Sequence, residues 1–264
     1  MTIEKCHHCV GSQACENQVK NECLPVGVFG NLFGKSIEVA TIGLNPALNE
    51  FYLSDYKTLK KRSQRLAALV DYNKASRAGL QEADVEDAKK RRGDYFINAE
   101  REPHSYFEKL ESLISRIEPR WSFVTGRVVH IDLVACATRL RWGKLSDGCK
   151  KELIANCRGH FLETLSKLPS ETLLLLDGIR VVNEMGLPEI QKHVLKFSQM
   201  KEEKISLIQG NRGFIGEIKY GDKKFPVRGW SMPVGQLPLL WRYDLAAWIC
   251  GSMPPPWPFL PVSK

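Results

Sequence analysis

The stretch E-V-A-T-I-G-L-N-P-A-L-N-E-F, Glu38–Phe51, decides how this chain is read. Val39, Ala40, Thr41 and Ile42 form a short apolar run of the kind that makes a buried strand. Gly43-Leu44-Asn45-Pro46 ends it abruptly, since Gly and Pro are the strongest local breakers of regular structure. A strand stopped this way delivers a polar side chain to the carboxyl edge of a sheet, where open α/β sheets hold their ligands. Taken alone, a G-x-N-P turn is equally well a plain strand-to-loop connection. Its neighbours have to decide between the two.

Upstream, Val26–Phe33 is a Gly-rich loop feeding the strand. Before it, Cys6, Cys9, Cys15 and Cys23 crowd together with His7 and His8. Thiolates gathered over so short a stretch suggest zinc or an iron–sulfur centre. The alternative is a set of unligated thiols. Structural disulfides are not expected among the eight cysteines if the compartment is reducing.

Downstream, Tyr56–Val70 is a basic helix with an apolar face, and Gln81–Arg92 is a second charged helix ending in Lys89-Lys90-Arg91-Arg92. Such runs are solvated faces or phosphate contacts. Aromatics between Asp94 and Phe107, Phe96 among them, either pack a helix or stack a base. Ser105–Ile117 is amphipathic with helical period. Val128–Val134 is a strand interrupted by His130 and Asp132, and a charge there needs a partner or a pocket edge. Arg139–Leu145 is a basic loop, Ser146–Leu168 a helix, Leu173–Leu176 a central strand, and Ile179–Met185 a helix. Ile205–Ile208 and Phe214–Tyr220 flank Gly210-Asn211-Arg212-Gly213 as a hairpin would. Pro226–Gly229 leads a last strand into Trp230-Ser231-Met232-Pro233, and Leu237–Trp248 is the final helix.

Strands alternating with helices predict an α/β fold, a three-layer α/β/α sandwich around a central, mainly parallel four-stranded sheet. With 264 residues, 43% hydrophobic, the chain can bury a core unaided. The expected organisation is a Cys-rich segment over 1–27, one domain over 28–253 and a Pro-rich tail over 254–264. No apolar run is long enough for a membrane helix and no secretory signal pattern precedes the cysteines. A cytoplasmic monomer without membrane association is expected. The net charge of +8 favours a polyanionic partner such as nucleic acid, single- or double-stranded.

The order of these motifs resembles the uracil-DNA glycosylase superfamily, over roughly Val28 to Trp248. Val28-Phe29-Gly30 is similar to the segment before the first strand in iron–sulfur, family-4-like members. Gly43–Ala47 resembles the first catalytic motif in its mismatch-specific form. Asp132–Cys136 resembles the strand end where an Asn reads the base, and Asn156-Cys157-Arg158 through Leu176 the unit after it. Trp230–Gly235 stands where the second motif carries His-Pro-Ser. The chain departs from the pattern in three ways. The second motif has no His, the base-reading Asn is Asp132, and the carboxylate some branches carry in the first motif is absent from its usual place.

The resemblance implies a DNA glycosylase, a hydrolase of the base-excision type that flips a nucleotide and leaves an abasic site. It implies Asn45 as the residue that orients the water, with Gly43, Leu44 and Pro46 around the base. Glu50 is the candidate carboxylate, its alternative a salt bridge to the basic helix. Phe51 or Phe96 would stack on the base and Ser231 would face the phosphate or the leaving base. An ionised Asp132 only accepts hydrogen bonds, so it suits a cytosine-like base, including a 5-modified one, better than uracil. A role in repair or in phage defence follows equally. The resemblance also implies a 4Fe–4S cluster on Cys6, Cys9, Cys136 and Cys157. The local alternative is Zn²⁺ on Cys6, Cys9, Cys15 and Cys23. A catalytically inactive nucleic-acid-binding protein on the same fold is the alternative function.

Overall fold

The structure is a computed structural model that describes residues 13–15, 18–32, 37–51, 66–97, 103–185, 191–195 and 212–252. Cys6 and Cys9, most of the basic stretch Tyr56–Val70, the segment Ile205–Ile208 and the tail lie outside these residues. The described strands are β1 (Val28–Phe29), β2 (Val39–Gly43), β3 (Val128–Asp132), β4 (Leu173–Asp177), β5 (Gln191–Val194), β6 (Arg212–Tyr220) and β7 (Lys223–Trp230). The described helices are α1 (Glu82–Gly93), α2 (Ser105–Ile117), α3 (Asp147–Lys167), α4 (Ile179–Glu184) and α5 (Leu239–Gly251). No described helix is long and apolar enough to cross a membrane.

The fold is mixed α/β. Its strands form one seven-stranded sheet in the order β1-β3-β2-β4-β7-β6-β5. β2, β3 and β4 are buried at every position, as expected of strands covered on both faces. β2 and β3 run in the same direction. Arg127 O accepts from Glu38 N and Val39 N at their start, and Gly43 O accepts from Leu133 N at their end. β4 and β7 are parallel, with Leu174 opposite Val227 and Asp177 opposite Trp230. The margins are antiparallel, β1 on β3 and β5-β6-β7 in succession. The expected four-stranded, mainly parallel sheet is therefore met only in part. The expected hairpin of Ile205–Ile208 with Phe214–Tyr220 involves a segment outside the described residues. β6 turns at Gly221-Asp222 and pairs with β7 from Tyr220–Lys223 to Gly213–Trp230, and its other edge takes β5.

The residues gather into two compact units. The first draws its described residues from Met1–Lys35, Ile42–Pro103 and Val129–Leu168. Here α3 begins at Ser146, whose Oγ accepts from Cys149 N at 3.2 Å. It buries Cys149, Leu153, Cys157, Phe161 and Leu165, one residue every four along a single stripe. The segment before β1 runs alongside the segment after β3. Lys20 N donates to Ala137 O, Val26 N to Ala135 O and Arg139 N to Gln18 O, with a bridge between Val19 and Thr138. The buried Arg77 guanidinium fastens this segment by donating to the carbonyls of Lys20, Asn21 and Cys23.

The second unit draws on Ser36–Thr41, His104–Val128 and Pro169–Lys264. α2 buries Phe107, Leu110, Leu113, Ile114 and Ile117 and packs against α5. Its polar centre is Asp177 at the end of β4. That carboxylate accepts from Tyr106 OH at 2.8 Å, Trp230 Nε1 at 2.8 Å and Val234 N at 2.7 Å. Three donors on one buried carboxylate fix the chain after β7 to the end of β4.

His160 of α3 packs so closely on Gly27 that a methyl group there would stand 2.3 Å from its Nε2. Burial, reinforced by the charge of Arg92, lowers the imidazole pKa from its ordinary 6.5 to about 4. The folded state thus holds His160 neutral while the unfolded chain protonates it. Its contribution is complete above pH 6.5 and is lost as pH falls through the window down to about 4. Urea titrations should show stability falling over that window by about 2–3 kcal/mol. His160→Gln should remove that part of the slope.

Candidate functional site

Asn45 and Asp132 both belong to the first unit, Asp132 as the last residue of β3 and Asn45 two residues past the end of β2, where Leu44 O accepts from Val134 N. Alternation along a strand sends residues two apart to the same face, so His130 and Asp132 lie side by side on β3. Both are buried, and His130 Nε2 stands 3.2 Å from Asp132 Oδ1. On the neighbouring strand Gly43 presents bare backbone to the pair. A Cβ at Gly43 would fall 2.5 Å from Asp132 Oδ1 and 2.7 Å from His130 Nε2. Glycine stands here because the pair occupies the space of any side chain.

Asp132 has acceptor capacity to spare. A carboxylate offers about four lone-pair positions, and among the described residues the bond to His130 is the one its side chain makes. Asp177 is the contrast, being answered by three donors. The main chain at Asp132 is fixed, its N–H donating to Gly27 O at 3.1 Å. Beside the pair runs an aromatic series. The Phe29 ring meets His130 at 5.5 Å and Tyr95 at 5.0 Å, and Tyr95 meets Phe96 at 4.9 Å, all edge to face.

Asn45 is half-buried two residues beyond Gly43. Its Nδ2 donates to Pro46 O and to Thr138 Oγ1, each at 3.3 Å. Leu44 is half-buried against the cysteine-containing core cluster, and Pro46 is buried. Glu50 closes a short 3-10 turn, its N–H donating to Ala47 O, and is 2% exposed. Phe51 is 0% exposed and packs as a core side chain, so it offers no ring face for stacking; Phe96 is 8% exposed. Ser231 belongs to the second unit. Its Oγ accepts from Arg212 N at 2.9 Å and its N–H donates to Arg212 O, so it helps close the end of the β6–β7 pair. After Thr138 the loop carrying Arg139, Arg141 and Lys144 is exposed.

The cysteines are arranged differently from expectation. Cys15 and Cys149 form a disulfide, which corrects the expectation that the cysteines stay unbridged and removes Cys15 from the local zinc set. The two residues face each other where the short turn Gln13–Cys15 meets the first turn of α3, with Cα atoms 4.5 Å apart. Cys136 and Cys157 lie outside any disulfide, buried in the same core cluster as that bridge. Arg77 Nη1 donates to Cys136 Sγ at 3.8 Å. Cys23 is buried elsewhere, its backbone bridged to Ala68. Among the described residues no group of three or more His, Cys, Asp or Glu side chains is set to hold a metal.

His130 and Thr138 are the polar contributors that motif reading passed over. The i, i+2 spacing on a strand could have disclosed His130. Thr138 carries no local signal, because its role depends on a contact 93 positions away in sequence. The chain matches no family model, no curated protein and no solved structure.

Gly43→Ala should displace the His130–Asp132 pair and cost about 1–3 kcal/mol in chemical denaturation. Gly159→Ala in α3, where an added methyl meets nothing within 4 Å, should instead be neutral or stabilise by up to about 1 kcal/mol.

Proposed function

We propose that this protein is a DNA glycosylase that hydrolyses the N-glycosidic bond of a flipped pyrimidine, with a cytosine-like base favoured over uracil. The observation that carries the reading is the buried Asp132 carboxylate at the end of β3, with one oxygen engaged by His130 and acceptor capacity left over among the described residues; Asn45 follows the end of the neighbouring strand β2. A base carrying an exocyclic amine can donate to such an acceptor, whereas O4 of uracil is repelled by it. Uracil would be read only if Asp132 carried a proton on the oxygen that faces the base, which could then donate to O4. Asn45 orients the attacking water, a positioning role suited to an amide. Glu50, buried close by in sequence, is the carboxylate that balances charge on the sugar. Phe96, at the end of the aromatic series, is the stacking candidate, and the exposed Arg139, Arg141 and Lys144 are candidates for the strand backbone.

On this reading the inner strands β3-β2-β4-β7 are the core of a three-layer sandwich, and the protein acts as a cytoplasmic monomer on DNA. Cys136 and Cys157, both thiols in one buried cluster, suit half of a 4Fe–4S ligand set. The Arg77 donor on Cys136 Sγ is the kind of hydrogen bond that tunes such a centre. Cys6 and Cys9 would complete it, and its role would be structural. An inactive DNA-binding protein is the second reading, favoured by the full burial of Phe51 and by the backbone bond on Ser231 Oγ.

Incubation with labelled oligonucleotides carrying uracil, cytosine or 5-substituted cytosines, followed by alkali, should give strand breaks at the target base. Asp132→Asn should shift preference towards uracil by roughly tenfold. An unchanged preference would remove Asp132 from base reading, and binding with no breaks on any substrate would leave the inactive reading. Purified protein should carry iron and sulfide with visible absorption that Cys136→Ala and Cys157→Ala abolish. A colourless, zinc-loaded protein would end the cluster assignment.

A further inference from the structure

Asn45 can serve a water only if its oxygen, not its nitrogen, faces the open side of the site. An amide presents both groups with nearly the same shape, so something must choose between them. The choice is made by a chain of hydrogen bonds. Thr138 Oγ1 donates its hydrogen to Leu140 O at 2.7 Å. Having spent its only hydrogen there, that hydroxyl can offer Asn45 nothing but lone pairs. Pro46 O, the other neighbour, is a carbonyl and also only accepts. Two acceptors therefore face the same end of the Asn45 side chain, and that end must be the NH₂. A flipped amide would set oxygen against oxygen at both contacts. The carbonyl Oδ1 is the end not engaged by these two acceptors, and it accepts nothing from the described residues.

We propose that Thr138 is a positioning residue that fixes the Asn45 carboxamide with its oxygen towards substrate. This rests on the glycosylase reading for its consequence but not for its geometry. Thr138 is itself held from two sides. Its backbone bridges to Val19, and it is 5% exposed. The adjoining Arg139 N donates to Gln18 O. The segment before β1 thus braces the residue that aims Asn45. The same Thr138 hydroxyl holds Leu140, in the exposed basic loop, through its carbonyl. Water orientation and loop placement therefore share one side chain.

The test uses the full chain and two readouts. The first is the side-chain NH₂ signal of Asn45 in a ¹⁵N spectrum, identified by its loss in Asn45→Ala. Its hydrogens should exchange slowly in the wild type and in Thr138→Ser, and roughly tenfold faster or more in Thr138→Val, which has the same shape but no acceptor. Thr138→Ala removes the acceptor with less bulk and replaces the valine variant if that one fails to fold. Unchanged exchange in the variant lacking the hydroxyl overturns the proposal, whatever the activity. The second readout is excision kinetics. Thr138→Val should lower kcat by roughly tenfold or more with KM within about threefold, and Thr138→Ser should restore most of it. If Asn45→Ala is inactive while Thr138→Val keeps the wild-type kcat, the proposal falls and the glycosylase reading stands. If Asn45→Ala excises bases at the wild-type rate, it is the catalytic reading of Asn45 that falls, and the exchange data alone decide the role of Thr138.

Discussion

A carboxylate buried at the end of a central strand has to be answered. Ion hydration lost on burial is worth several kcal/mol, and the group survives there only where donors replace water. Asp132 is answered by His130 on its own strand and is given room by the missing side chain of Gly43 on the next. Much else in the first unit follows from that requirement. β2 must end in glycine, β3 must carry its two polar residues two apart, and the chain before β1 must offer the Gly27 carbonyl to the Asp132 amide. The turn Gly43-Leu44-Asn45-Pro46 then leaves the sheet with the Asn45 amide nitrogen bonded to Thr138.

The two buried aspartates at strand ends show how one solution serves different purposes. Asp177 receives a phenol, an indole and a backbone amide, so it has become a fastening for the chain after β7. Among the described residues Asp132 meets one ring nitrogen, which leaves lone pairs over. Saturated polar groups rigidify a fold, while groups with unspent capacity are the ones able to meet a ligand. The difference lies in the donors around each carboxylate, which strand pattern alone does not reveal.

Elements whose burial is periodic were legible from residues alone. Ser105–Ile117 emerges with the bounds its apolar spacing indicates, and the Leu173–Leu176 run is a central strand lengthened by Asp177. Of the two residues the sequence offers as cap for α3, Ser146 and Asp147, Ser146 takes the position. The antiparallel margin was harder. β7 begins in Lys223-Lys224 and contains Pro226 and Arg228, so its strand character comes from pairing with β6 rather than from propensity. Within the candidate site, Asn45 and Asp132 were visible as polar residues at the ends of apolar runs. Phe51 was misread because an aromatic beside a motif looks the same in sequence whether it stacks on a ligand or fills the core. Thr138 and the Cys15–Cys149 pairing were invisible, since both depend on distant segments being folded together.

The Cys15–Cys149 bond has a consequence for the chain as a covalent object. It joins residues 134 positions apart, and β1, β2, β3, α1 and α2 all lie between them. That part of the polypeptide is a closed ring with a tail at either side. A protease cutting once anywhere inside the ring would open it without separating the halves, which part only when the sulfur bridge is also reduced. Asn45, Asp132 and Thr138 all sit on this loop, so a nicked molecule would keep them on one connected framework.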